Sequence, residues 1–329
     1  QNDAPVATPV ITTTMLEGGS VVVTLTATDG DGDPLDFNAF GAVNGSLGTV
    51  VQGAPDQQAT VTFTHNGSET TTASFDFNAT DGTATSGAGT VNITVTPVND
   101  PPVVTAVISE SVAEGDAVNI TLTGSDPDGP TLTFNAFGET NGTLGPVNQG
   151  VLNDGQAVVT YTHNGSQTTS ATFSFNATDG IGTSAAGTVN LTVTGVNDPP
   201  VPTVGITDVV VEGGSVVVTL TATDEDGDPL TFSAFGAVNG TLGGLVQGAP
   251  DQMATVQFTH NGSETTSASF DFNANDGTVT SGAGTVNLTV TPQNDAPTLV
   301  TLSSVSVAEN ESVNTVVGAF SVVDVDGPG

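Results

Sequence analysis

Three carboxylate-bearing features recur along this chain in a fixed order. A lone Glu comes first (Glu17, Glu114, Glu212 and Glu309), then an Asp-x-Asp loop (Asp29/Asp31, Asp126/Asp128, Asp224/Asp226 and Asp324/Asp326), then an Asp-Gly turn (Asp81, Asp179 and Asp276). Between the sets lies a polar hinge, Asn2-Asp3, Asn99-Asp100, Asn197-Asp198 and Asn294-Asp295, each with proline within two residues. Any one Asp-Gly or Asp-x-Asp is explained as a good turn former. The whole set, repeated, is better explained by a cation. Carboxylates and carbonyls offer only oxygen, and six to eight oxygens gathered where loops converge suit Ca2+.

Composition supports that reading. The 329 residues carry 35 Asp and Glu and no Lys or Arg, so no side-chain salt bridge forms unless one of the three His is protonated. Carboxylates a few Å apart repel by about 1 kcal/mol in water and by more where solvent is excluded. A cation must come from outside, either as diffuse screening or as a divalent ion at a carboxylate cluster. A chain with no basic residue cannot neutralise phosphates or dock on an anionic bilayer, which excludes nucleic acid and anionic membrane surfaces as partners. With no Cys, disulfides, thiol catalysis and zinc-thiolate sites are excluded too. No signal peptide and no apolar run near the roughly 18 residues of a membrane span is present, so the chain reads as a mature or excerpted segment. Hydrophobic residues make up 36% of the chain and are strongly patterned, which argues for folded repeats over disorder.

The acidic loops need a scaffold that brings distant stretches together, and alternating apolar residues supply it. Leu35, Phe37 and Ala39 alternate, as do Ala59, Val61 and Phe63, and then Ala73, Phe75, Phe77 and Ala79. Such alternation buries one face of a strand. The β-branched runs 21–27 and 91–96 add strands, and Asn44-Gly45 and Asn66-Gly67 signal turns. No stretch has a convincing 3.6-residue period. The hinge Asp recurs every 97 or 98 residues, the size of one small domain. The expected fold is therefore all-β: tandem immunoglobulin-like β-sandwiches of about seven strands in a serial rod, with units 1–97, 98–195 and 196–292 and a partial unit 293–329.

Aromatic residues test the repeat. All but Phe320 fall into five columns: Phe37/Phe134/Phe232, Phe40/Phe137/Phe235, Phe63/Tyr161/Phe258, Phe75/Phe173/Phe270 and Phe77/Phe175/Phe272. Five rings per unit are the expected core. A unit of this size buries only about 60–65% of its chain surface and should be modestly stable alone. The tail lacks the aromatic strands. The array is expected to continue beyond it, the alternative being that it completes itself with strands of another molecule.

Several motifs carry a family likeness: Asp224-Glu225-Asp226-Gly227-Asp228-Pro229-Leu230-Thr231-Phe232, His65-Asn66-Gly67-Ser68-Glu69-Thr70, Ala79-Thr80-Asp81-Gly82 and the closing Val-Thr-Pro-Val-Asn-Asp-Pro-Pro at 95–102. In these the chain resembles cadherin-like repeats, especially those in large bacterial surface proteins and the related chondroitin-sulfate-proteoglycan-type repeats. The resemblance covers essentially the whole chain. It implies calcium between consecutive domains, held by the early Glu of one domain, the linker, and the Asp-x-Asp and Asp-Gly loops of the next. Carried over, the first junction uses Glu17, Asn99, Asp100, Asp126, Asp128 and Asp179. The second uses Glu114, Asn197, Asp198, Asp224, Asp226 and Asp276, and the third Glu212, Asn294, Asp295, Asp324 and Asp326. Asn2, Asp3, Asp29, Asp31 and Asp81 form the equivalent set at the start. One departure matters: the cadherin Asp-Arg-Glu motif is replaced by Asn66-Gly67-Ser68. Glu69 and Glu264 stand one place later as substitutes, whereas the second repeat has Gln167. One or two ions per junction are expected rather than three.

Other chemistry is poorly supported. Asp29-Gly30-Asp31-Gly32-Asp33 is no EF-hand, because no Glu occupies the twelfth loop position. His65, His163 and His260 form one column, one per unit, which builds neither a metal triad nor a Ser/His/Asp arrangement and reads as packing or turn support. Exposed Thr and Asn-x-Ser/Thr triplets follow from β-propensity and composition. The expectation is a non-enzymatic, calcium-stiffened stalk or fibre at the cell surface or outside the cell, with further repeats of the same chain as its partners. The competing readings are an adhesion module for glycans or other cells, and a filament subunit joined by strand donation from the tail.

Overall fold

The computed structural model describes residues 2–53, 57–150, 155–249 and 252–326. Gln1, which precedes the first hinge, and Gly327, after the last acidic loop, lie outside the described residues. All regular structure among the described residues is strand. The chain divides into two compact units, Gln1–Thr194 with two sandwiches and Gly195–Gly329 with one sandwich and a hairpin.

The first sandwich contains β1 (Val6–Ala7), β2 (Val10–Leu16), β3 (Ser20–Thr28), β4 (Asp36–Val43), β5 (Gly45–Leu47), β6 (Val51–Gln52), β7 (Gln58–His65), β8 (Thr72–Thr80) and β9 (Gly89–Thr96). One sheet runs β1-β3-β7-β5, with β6 also on β7, and the other runs β2-β9-β8-β4. β1 pairs antiparallel with β3, whereas β2 pairs parallel with β9. The chain changes sheet between them at Pro9, which has no N–H to give either ladder. Its carbonyl still accepts from Thr90 N at 3.0 Å. With β1/β2 and β5/β6 each counted as one broken strand, seven strands remain. The pattern recurs from Val103–Val104 to Gly187–Thr194 and from Val201–Pro202 to Gly284–Thr291, where an unbroken Gly240–Gln247 replaces the β5/β6 pair.

Each sandwich has its own apolar core. In the first, Phe63, Phe75 and Phe77 are fully buried with Leu25, Val61 and Val91, and the Phe63 and Phe75 rings stack with centroids 5.9 Å apart. Burial of one such ring stabilises by about 1.5–3 kcal/mol. Four of the five aromatic columns are core, but the fifth is not: Phe40, Phe137 and Phe235 are 40%, 39% and 43% exposed. Phe40 lies an odd number of residues from Phe37, so the strand period puts its ring on the opposite face.

Two local devices keep the core closed. Asn44 takes the left-handed conformation (φ 59°), and its Nδ2 donates to Thr72 O at 2.8 Å. A Cβ on the following Gly45 would strike the Phe63 ring and the Thr64 carbonyl, so the pair sets the turn and also makes room for a core ring. Gln52 accepts from Phe37 N and donates to Phe37 O, both at 3.0 Å, bridging β6 to the edge strand β4. Gln149 and Gln247 do the same for Phe134 and Phe232.

The tail forms a hairpin, with Leu299–Leu302 antiparallel to Phe320–Val323. Leu299, Val300 and Phe320 are exposed, Phe320 by 76%.

Candidate metal centre

The acidic loops are shaped first by their own backbone. Asp29 Oδ1 accepts from the N–H groups of Asp31, Gly32 and Asp33 at 3.0, 3.1 and 3.3 Å, an Asx turn that consumes one carboxylate oxygen. Asp126 Oδ1 accepts from Asp128 N at 2.8 Å, and Asp224 Oδ1 from Asp228 N at 3.2 Å. The other oxygens, Asp29 Oδ2, Asp126 Oδ2 and Asp224 Oδ2, are buried without a hydrogen-bond partner. An acceptor left so costs about 1–3 kcal/mol, and more when charged.

Each hinge is laced to the loops that follow it. Asp3 N donates to Asp31 Oδ2 at 2.7 Å, Asp100 N to Asp128 Oδ2 at 2.7 Å, Asp198 N to Asp226 Oδ2 at 2.6 Å and Asp295 N to Asp326 Oδ2 at 2.5 Å. Asn2, Asn99 and Asn197 donate through Nδ2 to Asp81, Asp179 and Asp276 at 3.0, 2.9 and 2.9 Å. Asp324 Oδ1 accepts from Asp326 N at 3.1 Å, as in the full repeats, while Asn294 Nδ2 donates to the carbonyl of Asp295.

Upstream, Glu17 Oε2 accepts from Val98 N at 3.2 Å, and Glu212 Oε2 from Gln293 N at 3.1 Å. The partner oxygens Glu17 Oε1 and Glu212 Oε1 are buried and accept nothing. Glu212 is only 7% exposed. Glu114 belongs to the first unit, where its N–H donates to Thr194 O at 2.9 Å.

These contacts gather carboxylates. Glu17, Glu69 and Asp100 place ligand oxygens within 4.8 Å of one another, as do Glu212, Glu264 and Asp295, and as do Asp29, Asp31 and Asp33. Glu69 is exposed as a residue, but its carboxyl is pushed up to about 7 by desolvation and by the charges of Asp128 and Glu17. Desolvation with Glu212 and Asp326 raises Glu264 likewise. Asn99, Asp126, Asp128, Gly129, Thr131 and Asp179 line a cavity of about 190 Å³ on the same hinge.

Not every expected ligand is equally available. Asp179 Oδ1 accepts from Ile181 N and Gly182 N at 2.7 and 2.6 Å and Oδ2 from Asn99, and those three donors hold its carboxyl below the usual carboxylate range. Backbone N–H groups and Asn2 lower Asp81 in the same way, and Asn197 with backbone N–H groups lowers Asp276. These three Asp are turn formers tied to the hinge. Glu69 and Glu264, the substitutes expected for the missing cadherin motif, join clusters, and so does Asp33, which stood outside the expected sets. The signal for Asp33 was a third Asp at spacing two. The histidines offer no ligand atom, because both ring nitrogens of His65, His163 and His260 are hydrogen-bonded.

What converges is an all-oxygen, strongly anionic cluster with unpartnered buried oxygens. A hard cation that accepts many oxygens in flexible geometry fits it, and a soft metal that prefers nitrogen or sulfur does not.

The family model for the bacterial Ig domain matches residues 2–94, 99–192 and 197–289. The chain belongs to this family. No curated protein sequence matches it. Among solved structures, the bacterial Ig domain array is similar in fold to the extracellular cadherin domains 1–4 of protocadherin gamma B7, with TM-score 0.54 and 17% identity over 88% of this chain and 77% of that one. It is also similar to mouse cadherin-23 EC22–24, with TM-score 0.56 and 18% identity over 89% of this chain and 100% of that one. The tandem cadherin-like sandwich read from the sequence motifs is thus the fold of this chain. No helix among the described residues is long and apolar enough to cross a membrane.

Proposed function

We propose that this bacterial Ig array is a structural element stiffened by calcium at its hinges, serving as the stalk or fibre of an extracellular appendage or surface adhesin. Its repeats are 1–97, 98–195 and 196–292, with 293–329 beginning a fourth. Glu17, Glu69, Asp100, Asp126 and Asp128 hold the ion at the first hinge, and Glu212, Glu264, Asp295, Asp324 and Asp326 at the third. Asn197, Asp198, Asp224 and Asp226 do so at the second, and Asp3, Asp29 and Asp31 supply the oxygens at the start. Asp81, Asp179 and Asp276 fix the Asn of each hinge.

The observation that carries this reading is the buried, partnerless oxygen on the early Glu of two repeats, Glu17 Oε1 and Glu212 Oε1, each in a cluster with two further carboxylates. When bound, calcium supplies the positive charge that these oxygens lack. The early Glu belongs to one repeat, the hinge Asp to the linker and the Asp-x-Asp loop to the next repeat. Their joint attachment removes freedom between repeats, and mass action adds stability as ligand rises above its dissociation constant. Further repeats of the same chain are the natural partners, and a cell-surface or extracellular setting supplies calcium in excess.

Thermal unfolding and solution scattering of the chain with calcium and with excess chelator test the proposal. A large fall in Tm and a broader distribution of interdomain distances in chelator are the expected result. Identical curves in both would reduce the acidic clusters to ordinary turns and leave glycan adhesion or strand donation as the better account.

A further inference from the structure

We infer that His65 and His260 are positioning residues of the hinge sites, each clamping the two segments that carry a hinge's paired glutamates into one arrangement. The inference rests on the calcium reading above and gives the buried histidine column a task in it.

His65 is 3% exposed. Its Nδ1 accepts from Gly18 N at 3.3 Å and from Gly67 N at 3.2 Å. Two backbone donors on one ring nitrogen fix that nitrogen as the bare acceptor, so the proton resides on Nε2, which donates to Thr70 Oγ1 at 3.1 Å. The His65 N–H also reaches Gly19 O at 3.0 Å. Gly18 directly follows Glu17, and Thr70 directly follows Glu69. One ring therefore ties together two turns far apart in sequence, each bearing a carboxylate of the same cluster. Both glycines have positive φ, 62° at Gly18 and 73° at Gly67, so each turn takes a backbone form that other residues adopt poorly.

The arrangement recurs. His260 accepts from Gly213 N and Gly262 N, both at 3.2 Å, and meets Thr265 Oγ1 at 3.1 Å, beside Glu212 and Glu264. His163 holds Gly115 N and Gly165 N, both at 3.3 Å, and Thr168 Oγ1 at 3.0 Å, beside Glu114 and Gln167. A purely packing role needs only volume. The imidazole instead uses both nitrogens on the two segments whose carboxylates repel each other. Without the clamp, like charge drives Glu17 and Glu69 apart and the site must be reassembled for each ion.

Calorimetric calcium titration of the full 329-residue chain tests this, using His65→Leu, Thr70→Val and His65→Asn, with Tm in excess chelator recorded for each. His65→Leu keeps apolar volume but no acceptor, and is expected to weaken the first-hinge site by about 10–100-fold, the scale on which residues that orient metal ligands act. Thr70→Val removes the Nε2 partner together with a 3.3 Å contact to Ser68 Oγ, so it should weaken the same site while leaving the chelator Tm close to the parent's. His65→Asn places Oδ1 where Nδ1 accepts, and recovery of affinity above His65→Leu is expected. If Thr70→Val and a folded His65→Leu titrate like the parent while Glu17→Gln does not, the positioning role is overturned and the calcium reading stands. Should His65→Leu fail to fold, Thr70→Val decides alone, and parental affinity there overturns the inference. A parent chain that takes up no calcium overturns both.

Discussion

The cores and the hinges of this chain are built on opposite terms. In the sandwiches every need is met from within: Phe75 and Phe77 are buried against apolar neighbours, and the exposed Gln52 at the edge has both a donor and an acceptor on Phe37. At the hinges Glu17 Oε1, Asp126 Oδ2 and Glu212 Oε1 are buried with no partner, amid carboxylates that raise the pKa of Glu69 and Glu264. A sandwich is complete as folded; a hinge leaves buried carboxylate oxygens without a partner. The tail sharpens the contrast. Asp295 N meets Asp326 Oδ2 there as in a full repeat, although Leu299, Val300 and Phe320 beside it are exposed. The same Asx turns and backbone donors shape this hinge as the others.

The largest effect expected belongs to the core. Phe75→Ala should lower the stability of the first sandwich by about 3–5 kcal/mol, the cost of deleting a buried ring and leaving a cavity. Denaturant unfolding should give the same loss with calcium and with chelator; a loss that vanished in chelator would break the division between core and hinge. Glu17→Gln should do the reverse. In chelator it relieves repulsion within the cluster and leaves stability equal or slightly higher, while in calcium it forfeits on the order of 3 kcal/mol of ion-dependent stabilisation, as when one partner of a buried charge pair is removed. Equal effects in both conditions would sink the assignment of Glu17 as a ligand.

Much of this division was legible in the sequence. The alternation of Phe75 and Phe77 with polar neighbours gave the buried face of β8, and the recurrence of Asp29/Asp31 with Asp3 and Asp81 gave a loop cluster at each hinge. Phe40 was misread because column matching ignores phase: it repeats as faithfully as Phe37 but lies an odd number of residues away. β2 was not read as a strand, since its parallel partner β9 is some 80 residues away and leaves no local sign. Which Asp oxygens remain unpartnered is not a property of residue type. Asp81 and Asp29 look equivalent in sequence, yet Thr83 N, Ala84 N and Asn2 satisfy both oxygens of Asp81 and only one oxygen of Asp29 is used.

A smaller effect is expected at the boundary between the two regions. Gln52→Glu can still accept from Phe37 N but can no longer donate to Phe37 O, leaving a part-buried carbonyl and a new charge at the sandwich edge. The loss should be about 1–3 kcal/mol, the penalty for an unsatisfied polar group, and calcium should not restore it. Calcium-dependent rescue would show that this edge belongs to the hinge electrostatics.

The smallest effect, and the most diagnostic in sign, is the pH dependence without calcium. Glu69 titrates near 7 in the folded chain against 4.5 when unperturbed. A raised carboxyl pKa means that the folded state holds the proton more tightly. Between about pH 4.5 and 7 the unfolded chain binds fewer protons, so stability should fall as pH rises through that window and level off above it. Asp81, Asp179 and Asp276 have lowered values and act oppositely: their contribution is complete above 3.8 and is lost on acidification through their lower folded pKa. Chelator Tm should therefore peak on the acidic side of neutrality, and Glu69→Gln should flatten the decline toward pH 7. In calcium the slope should invert, because proton and cation compete for the same oxygens and the ion gains as Glu69 ionises. A Tm that rose with pH in chelator would mean that the hinge carboxylates are not crowded in solution, and the contrast between a self-sufficient core and an incomplete hinge would fail at its electrostatic root.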